Sequence, residues 1–317
     1  MSRKLLIDAS NILYRTFFAH IKESLDVNVG MCHHIALSTI NKYFNNTKAD
    51  EVILAFDDYS WRKAYTKHLD KCVTYKKYKG TRRKDMTPSD KAKLEKFDSH
   101  IQEFVDLFRN QTRVVVLHRK YLEADDLIAG YIQMHPEDEH ILVSSDKDFM
   151  QLLVRNNLKI IDPMTDKERT LEEHNNDPDF FMFEKCLRGD SGDNVMSSYP
   201  RIRQTKIEEA YRDPLVRTNI MQNKFTVLVN DDDGGMPVER EFITQEVFEE
   251  NILLMDLTAQ PEYIRDLIEA TVNEAIENRG KFNYIEFLRF CGKYELNAIR
   301  ERADSYVSML SCKRKGS

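Results

Sequence analysis

The chain has few cysteines, the residues that cross-link many extracellular domains, and it lacks the long apolar runs that membrane proteins need. Five cysteines are scattered over 317 residues without a Cys-x-x-Cys pair, so we expect neither disulfide bonds nor a structural zinc ion. No apolar run is long enough to cross a bilayer, and the first residues lead into a strand-like segment instead of a signal peptide. These absences predict a reduced, cytoplasmic protein without a membrane partner.

The overall composition is that of a folded globular protein. Apolar residues make up 41% of the chain and charged residues 32%, which argues against intrinsic disorder. The formal net charge of -6 gives no overall attraction to nucleic acid. Because a net charge can hide separate acidic and basic clusters, the distribution of charge along the chain is more informative.

Short apolar segments alternate with amphipathic helical patterns from residue 4 to about residue 162. This alternation predicts an α/β fold with a mostly parallel central sheet flanked by helices. From Arg201 onward the pattern is mostly helical, apart from an acidic turn over residues 230–235. We therefore expect one domain over residues 1–188 and a smaller, mainly helical domain over residues 189–317.

Aspartates follow three of the predicted strands at the point where each strand ends. Asp8, Asp57 and Asp146 each come directly or almost directly after an apolar strand pattern. Ligands of parallel α/β sheets lie outside the carboxyl ends of the strands, so we expect these side chains at one edge of the sheet. Each aspartate also has an ordinary interpretation, since Asp8, for example, could simply cap the next helix.

The stretch from Glu123 to Asp148 carries carboxylates at both ends of one predicted helix–strand unit. Glu123, Asp125 and Asp126 begin the helix, and Asp146 and Asp148 follow the strand. Acidic residues are common in the first turn of helices, but carboxylates this close repel one another unless a cation neutralises them. Hard divalent cations prefer such oxygen ligands, so the stretch indicates a metal site. The later loop Gly189–Asn194 contains Asp190 and Asp193, and by itself it would be an ordinary loop.

A basic stretch over about residues 71–100 lies between two of these acid-tipped strands. Two tyrosines are interleaved with its cations, which include Lys76, Lys77, Lys79, Arg82, Arg83 and Lys84. Basic runs are often only a solvated face of the protein. The aromatic residues favour instead a bound single strand of nucleic acid, held by phosphate contacts and base stacking.

Together these features resemble the 5′ nuclease superfamily, which includes flap endonucleases, the 5′ nuclease domains of bacterial DNA polymerases and phage 5′–3′ exonucleases. The order and spacing match over about residues 4–195, and the segments that carry the resemblance are Asp8, Phe56–Asp58, Tyr78–Arg82, Glu123–Asp126, Ser145–Asp148 and Gly189–Asn194. The basic stretch and the later helices are most similar to the T-even phage ribonuclease H branch, which removes RNA primers from lagging-strand fragments. The resemblance implies a catalytic domain over residues 1–188 with a helical arch, in the host cell's cytoplasm if a phage encodes the chain.

The resemblance also implies roles for individual residues. A first Mg²⁺ would be held by Asp8, Asp57, Glu123, Asp125 and Asp126, and a second by Asp146, Asp148, Asp190 and Asp193, with Mn²⁺ as a substitute. Lys79 and Arg82 would hold the scissile phosphate, and Tyr78 would stack on a base. The free 5′ end would thread past Lys76, Lys77, Arg83 and Lys84. Most relatives also carry a glycine-rich turn that binds duplex DNA and potassium; this chain has no glycine over residues 199–206, where Arg201, Arg203 and Lys206 would contact phosphates instead.

The activity implied is that of a monomeric, structure-selective 5′–3′ exonuclease or flap endonuclease that leaves a 5′-phosphate. Its substrates would be forked, flapped or nicked DNA and RNA–DNA hybrids, and a single-strand-binding protein or a sliding clamp would be its partner. One alternative is a non-catalytic subunit that binds forked DNA, which would be expected to have lost carboxylates. Another is a PIN-type ribonuclease, but that family lacks both the arch and the Gly189–Asn194 segment.

Overall fold

The computed structural model describes residues 2–69, 72–82, 85–153, 157–229 and 237–313. The chain divides into two compact units. The first comprises Met1–Asp58, Asp85–Thr170 and Tyr263–Ser317, and the second comprises Tyr59–Lys84 and Leu171–Glu262. This division differs from the expected domains over residues 1–188 and 189–317, because the end of the chain packs with the sheet-containing unit.

The strands, in chain order, are β1 (Arg3–Asp8), β2 (Glu51–Ala55), β3 (Val115–Leu117), β4 (Glu139–Val143), β5 (Leu158–Asp162), β6 (Lys167–Glu168), β7 (Lys224–Val229) and β8 (Val238–Ile243). The α-helices are α1 (Ala9–Ala19), α2 (Leu25–Thr47), α3 (Trp61–Tyr65), α4 (Pro88–Gln111), α5 (Ala124–Met134), α6 (Pro178–Arg188), α7 (Gln204–Arg212), α8 (Pro214–Met221), α9 (Thr244–Met255), α10 (Glu262–Glu277), α11 (Tyr284–Lys293), α12 (Asn297–Arg300) and α13 (Val307–Leu310). Short 3₁₀ helices cover Asp148–Leu152, Glu172–His174 and Ala303–Ser305.

The first unit is built on a six-stranded sheet in the order β3-β2-β1-β4-β5-β6. Strands β1 to β5 are parallel, and β6 pairs antiparallel with β5. Val52 to Ala55 of β2 and Leu5 to Ile7 of β1 are fully buried, as expected for strands that helices cover on both faces. The prediction of an α/β fold with a mostly parallel central sheet is therefore confirmed.

The helices of the first unit cover the sheet with long apolar faces. Helix α4 begins where the Thr87 hydroxyl accepts the N–H of Asp90 at 3.1 Å, with a proline in its first turn. It buries Leu94, Phe97, Phe104 and other apolar residues at helical spacing. The same core cluster includes Phe287 and Phe290 of α11, Met309 and Leu310 of α13. This shared core explains why the end of the chain belongs to the sheet-containing unit.

The second unit combines helices with a two-stranded antiparallel sheet, β7–β8. The region after Arg201 is mainly helical, as expected, but the sequence did not predict these two strands. Exposure alternates along β7, and its inward side chains Phe225, Val227 and Val229 pack with Phe242 of β8. An alternation with a period of two suits a half-buried strand, not a helix. The other regular elements described between residues 201 and 310 are helical.

The basic stretch does not begin as a helix. Its described residues from 72 to 82 form bends and turns, and the helix of this stretch, α4, begins at Pro88. Arg83 and Lys84 lie outside the described residues, as does the predicted acidic turn over 230–235. In the part of the chain that the structure describes, no helix has the length and apolar character that a membrane span requires.

Candidate functional site

The register of the parallel strands brings the predicted aspartates of the first unit to one edge of the sheet. Asp8 ends β1 opposite Ala55, the last residue of β2. Ile7 lies opposite Val143, the last residue of β4. The segments that follow β2 and β4 carry Asp57 and Asp146, so both begin at the carboxyl edge next to Asp8, where α/β sheets bind ligands.

Asp8 is buried between these segments. Its side chain is a helix cap, as one interpretation of the sequence predicts, because its carboxylate accepts the N–H of Asn11 at 2.9 Å. It also accepts the hydroxyl of Ser144 at 3.1 Å. Burial, followed by the charges of Asp57 and Asp146, raises the pKa of Asp8 to about 7. A cation at this edge would relieve the repulsion among these carboxylates.

Asp57 links the end of β2 to the start of α5. Its backbone N–H donates to the Ser10 hydroxyl at 2.7 Å, and its carboxylate accepts the N–H of Ala124 at 2.8 Å. The side chain itself is exposed. Hydrogen bonds therefore fix the position of Asp57 while leaving its carboxylate accessible to a ligand.

Glu123, Asp125 and Asp126 converge at the first turn of α5. One carboxylate oxygen from each lies within 4.8 Å of the others, the spacing that a shared cation requires. Among the residues that the structure describes, this is the one group of three or more potential ligands at such spacing. Asp126 is fully buried and accepts the N–H of Glu123 at 3.3 Å. The donor set consists of hard carboxylate oxygens, and it fits Mg²⁺ or Mn²⁺.

Asp146 and Asp148 lie on the loop that follows β4. The Asp146 N–H donates to the Ser144 hydroxyl at 3.1 Å, and the Asp146 carboxylate accepts the N–H of Asp148 at 2.9 Å. Ser145 donates to the side-chain oxygen of Asn11 at 2.7 Å. The loop is thus tied to the start of α1, and both aspartates remain half-buried.

Asp190 and Asp193 belong to the second unit, on the loop after α6. Gly189 has φ of 72°, and a Cβ there would lie 2.6 Å from backbone atoms of Val195, Met196 and Ser197. Only glycine fits this turn without strain. The Asp190 carboxylate accepts the N–H groups of Gly192 at 2.8 Å and Asp193 at 3.2 Å, and it lies 3.5 Å from the Lys185 ammonium.

Asp193 contacts three of the predicted nucleic-acid-binding residues within the second unit. It forms an ion pair with Arg82, its carboxylate lies 3.8 Å from the Lys79 ammonium, and it accepts the Tyr78 hydroxyl at 2.8 Å. The Lys79 N–H also donates to the Asp193 carbonyl at 2.7 Å. The Tyr78 ring is only 5% exposed, so it does not offer a free face for the base stacking that the resemblance implies.

The remaining predicted basic residues that the structure describes are exposed or half-buried in the second unit. Lys76 is half-buried, and burial lowers the pKa of its ammonium, while Lys77 is exposed. Arg201 and Arg203 are exposed just before α7. Lys206, on α7, forms an exposed ion pair with Glu209 at 2.9 Å. Arg201 and Arg203 thus lie on the connection between α6 and α7, and Lys206 lies in the first turn of α7.

The sequence did not identify several residues that hold these groups in place. Ser10, Asn11 and Ser144 bond to the aspartates or to their loops, and their proximity to Asp8 and Asp146 in the chain was the available signal. Glu250, on α9, is buried and accepts the N–H groups of Val73 at 2.8 Å and Thr74 at 2.9 Å. A single glutamate on an amphipathic helix gives no sequence signal for this role.

A family model identifies the class of protein to which this parallel sheet with its acidic edge belongs, the 5′ nuclease superfamily. Residues 3–180 match the family model described as the 5′–3′ exonuclease, N-terminal resolvase-like domain, which is more than half of the chain. The chain therefore belongs to this family. No curated protein sequence matches it.

Several solved structures from bacteriophage T5 share the fold. The T5 D15 protein co-crystallised with metal ions is 20% identical, with a TM-score of 0.62 over 87% of this chain and 99% of that one. The T5 5′-exonuclease with bound zinc ions is also 20% identical, with a TM-score of 0.61 over 87% and 98%. A D15 flap endonuclease variant in a pseudo-enzyme–product complex with DNA and metal ions has a TM-score of 0.59 at 20% identity, over 87% and 98%. At this identity the likeness shows a common fold.

Proposed function

We propose that the chain is a divalent-metal-dependent 5′ nuclease that hydrolyses phosphodiester bonds near 5′ ends, both as a 5′–3′ exonuclease and as a flap endonuclease. The observation that carries the proposal is the convergence of Glu123, Asp125 and Asp126 at the first turn of α5. Asp57 accepts the N–H of Ala124 in the same turn, and its charge contributes to the raised pKa of the buried Asp8. Carboxylates at this density repel one another, and a bound divalent cation would relieve that repulsion. Family membership over residues 3–180 supports the same activity.

Mg²⁺ is the cation we propose, with Mn²⁺ as a substitute and with two ions per site. Asp8, Asp57 and the Glu123–Asp125–Asp126 group would hold the first ion. Bound ions of this kind supply an activated water and stabilise the attacking and leaving oxygens of an in-line displacement. For the second ion we propose the ligands that the resemblance to the superfamily implies, Asp146, Asp148, Asp190 and Asp193.

The chain's own side chains would orient the substrate. Lys79 and Arg82 carry positive charges that would hold the scissile phosphate and stabilise its charge in the transition state. Both side chains contact the Asp193 carboxylate, so a bound phosphate would either replace this carboxylate or share the two cations with it. The buried ring of Tyr78 favours a supporting role, through its hydrogen bond to Asp193, over base stacking. Lys76, Lys77, Arg201, Arg203 and Lys206 would contribute sequence-independent phosphate contacts, as would Arg83 and Lys84.

The substrates we propose are forked, flapped or nicked DNA and RNA–DNA hybrids, as in lagging-strand primer removal. The structural likeness to a T5 flap endonuclease that was crystallised with DNA supports a DNA substrate. Primer removal, a monomeric state, and docking to a single-strand-binding protein or sliding clamp are further parts of the hypothesis. A non-catalytic subunit that binds forked DNA would not need the first-turn carboxylates of α5.

A cleavage assay tests this proposal directly. Purified protein is incubated with a 5′-labelled forked duplex and with a gapped duplex that carries a 5′ RNA end, in Mg²⁺ or in EDTA. We expect short labelled products only in Mg²⁺, and their lengths separate exonuclease from flap cutting.

Asp126→Asn is the matching variant, because Asp126 is fully buried among the proposed ligands. Its cleavage rate should fall at least about 100-fold, while the DNA dissociation constant in EDTA stays within about threefold. Asp266→Asn removes an exposed carboxylate on α10 and should cut normally. Intact substrate in Mg²⁺ with retained DNA binding by the wild type would support the binding-subunit alternative instead.

A further inference from the structure

A small cavity in the first unit, of about 190 Å³, is lined by basic side chains that the proposed nuclease site does not use. It lies against the edge strand β3 and the end of α10, and three arginines contribute to its wall: Arg109, Arg119 and Arg279. Glu274 is the one acidic side chain in the lining among the described residues. The wall therefore carries an excess of positive charge.

The three arginines differ in how firmly they are already paired. Arg279 is largely buried and forms an ion pair with Glu51. Arg119 pairs with Glu274 at 3.1 Å, but the two side chains are 45% and 60% exposed. Exposed pairs of this kind contribute little to stability, so Arg119 can exchange its partner. Arg109 is half-buried, and its guanidinium has no hydrogen bond or ion pair with any residue that the structure describes.

The chemistry of the wall favours an oxyanion. A guanidinium presents planar N–H groups that match two oxygens of a phosphate, and the side-chain amide of Asn278 offers two more donors. His118, also in the lining, is held by Asp58 at 3.3 Å. The volume corresponds to several water molecules at about 30 Å³ each, which is enough for a phosphate with the first atoms of its sugar. A duplex or a large cofactor would not fit.

We propose that this cavity binds a phosphate group, with Arg109 and Arg119 as its principal ligands. The phosphate would come either from a free mononucleotide or inorganic phosphate, or from the backbone of a nucleic-acid strand. Binding here requires no hydrolysis, so it can be measured when the proposed nuclease is inactive.

The experiment is a titration in EDTA with three probes: inorganic phosphate, deoxythymidine 5′-monophosphate and a 5′-phosphorylated oligothymidylate. Binding is followed by calorimetry and by protection of individual arginines from phenylglyoxal, read by mass spectrometry. We expect Arg109 and Arg119 to be protected by at least one probe, and Arg109→Gln to weaken its binding about tenfold, the loss of one charge-assisted hydrogen-bond pair. Arg113→Gln changes the same charge on an exposed residue just before β3 and should bind as the wild type does.

The protection and affinity measurements either support the phosphate site or contradict it. Protection by the two small probes identifies a free-phosphate site, and protection by the oligonucleotide alone identifies a strand contact. Unprotected Arg109 with all three probes, or equal affinities for Arg109→Gln and the wild type, would overturn the assignment. The protection measurement uses the wild-type protein, so misfolding of a variant cannot mimic either result. If the wild-type protein does not cleave DNA in Mg²⁺ but Arg109 and Arg119 are still protected, the nuclease proposal is contradicted and the phosphate site is not.

Discussion

Asp193 is the side chain on which the basic residues of the second unit converge. Its carboxylate is only 13% exposed, and Arg82, Lys79 and Tyr78 all contact it. A carboxylate in this position stands where an anionic phosphate oxygen could stand, because both bind the same donors. We therefore expect an anionic phosphate to compete with Asp193 for these donors.

Lys79→Ala tests whether this ammonium acts on the chemical step. The side chain is 13% exposed and its ammonium lies 3.8 Å from the Asp193 carboxylate, so we expect it to contribute more to the transition state than to binding. Single-turnover cleavage should slow by about 100-fold, with at most a threefold rise in the dissociation constant measured in EDTA. Arg265→Ala, an exposed cation on α10, serves as the control. Equal losses in rate and affinity would reduce Lys79 to a simple phosphate anchor.

Tyr78→Phe tests the supporting hydrogen bond. Removal of the hydroxyl that donates to Asp193 at 2.8 Å should lower the free energy of unfolding by about 1–2 kcal/mol, since the acceptor is charged. Urea denaturation measures the loss. Tyr199→Phe is the control, because that hydroxyl has no hydrogen-bond partner among the described residues. A stability unchanged from the wild type would show that water replaces the hydroxyl without cost.

The sequence identified the acidic residues at this scale but not their contacts. Asp8, Asp57 and Asp146 could be assigned to one edge because strand direction alone determines it. The contact between Tyr78 and Asp193 joins residues 115 positions apart, and no local pattern encodes such a pair. The predicted stacking role of Tyr78 depended on its residue type, whereas burial is set by the tertiary fold.

Helix α9 is the element that anchors two loops of the second unit that carry predicted site residues. Glu250 accepts the N–H groups of Val73 and Thr74, just before the basic residues. The next residue, Asn251, is fully buried and donates to the carbonyls of Cys186 and Met196, both at 2.8 Å. One helix thereby anchors both the basic stretch and the loop that carries Asp190 and Asp193.

Glu250→Gln should loosen the basic stretch. An amide replaces one acceptor oxygen with a donor facing a backbone N–H, at a cost of about 2 kcal/mol. We expect trypsin to cleave after Lys76 or Lys77 several times faster than in the wild type. Glu249→Gln, the exposed neighbour on the same helix, should leave the rate unchanged. Unaltered proteolysis of Glu250→Gln would mean that other contacts order this stretch.

Elements with a strong apolar period were predictable, and those with a weak one were not. The apolar face of α4 and the alternation of strands and helices over residues 4–162 were evident in the sequence. The β7–β8 hairpin was missed because exposed Leu228 and Val238 interrupt its polar–apolar alternation. The two strands share a core cluster with Val247 and with Met196, which is distant in the chain from both strands.

At the scale of the whole chain, the core of the first unit combines residues from the beginning and from the end of the sequence. Its core unites Leu5 and Ile7 of β1 with Phe287 and Leu310 near the end of the chain. Helical periodicity predicts that α11 has an apolar face, but it does not specify which partner that face covers. The sequence therefore could not show that α11 packs with the first unit, and the predicted boundary at residue 188 divided the chain simply into an earlier and a later part.

An ion-pair network also joins early and late residues of the first unit. Glu51, at the start of β2, accepts hydrogen bonds from Lys4 of β1 and from Arg279, which follows α10. The three side chains are between 11% and 23% exposed. Burial raises the pKa of Glu51, but the hydrogen bonds and charges of Arg279 and Lys4 outweigh it and leave the pKa below its usual value.

The depressed pKa of Glu51 makes the stability of the first unit dependent on pH. A carboxyl group whose pKa is lower in the folded state stabilises the fold above its unfolded pKa of about 4.3, and this contribution disappears as the pH falls through the folded value. Glu51→Gln should therefore lose about 1–3 kcal/mol of unfolding free energy at pH 7. The difference from the wild type should shrink progressively below about pH 4.3.

Urea denaturation at pH 7, 5, 4 and 3 measures this dependence for the wild type, Glu51→Gln and the exposed control Glu137→Gln. Glu137→Gln should follow the wild type at every pH, because no described residue pairs with that side chain. A constant difference between Glu51→Gln and the wild type down to pH 3 would mean that the glutamine disrupts packing and not charge. A difference in unfolding free energy that vanishes as the pH falls would show that the ion pairs of Glu51 with Lys4 and Arg279 stabilise the first unit.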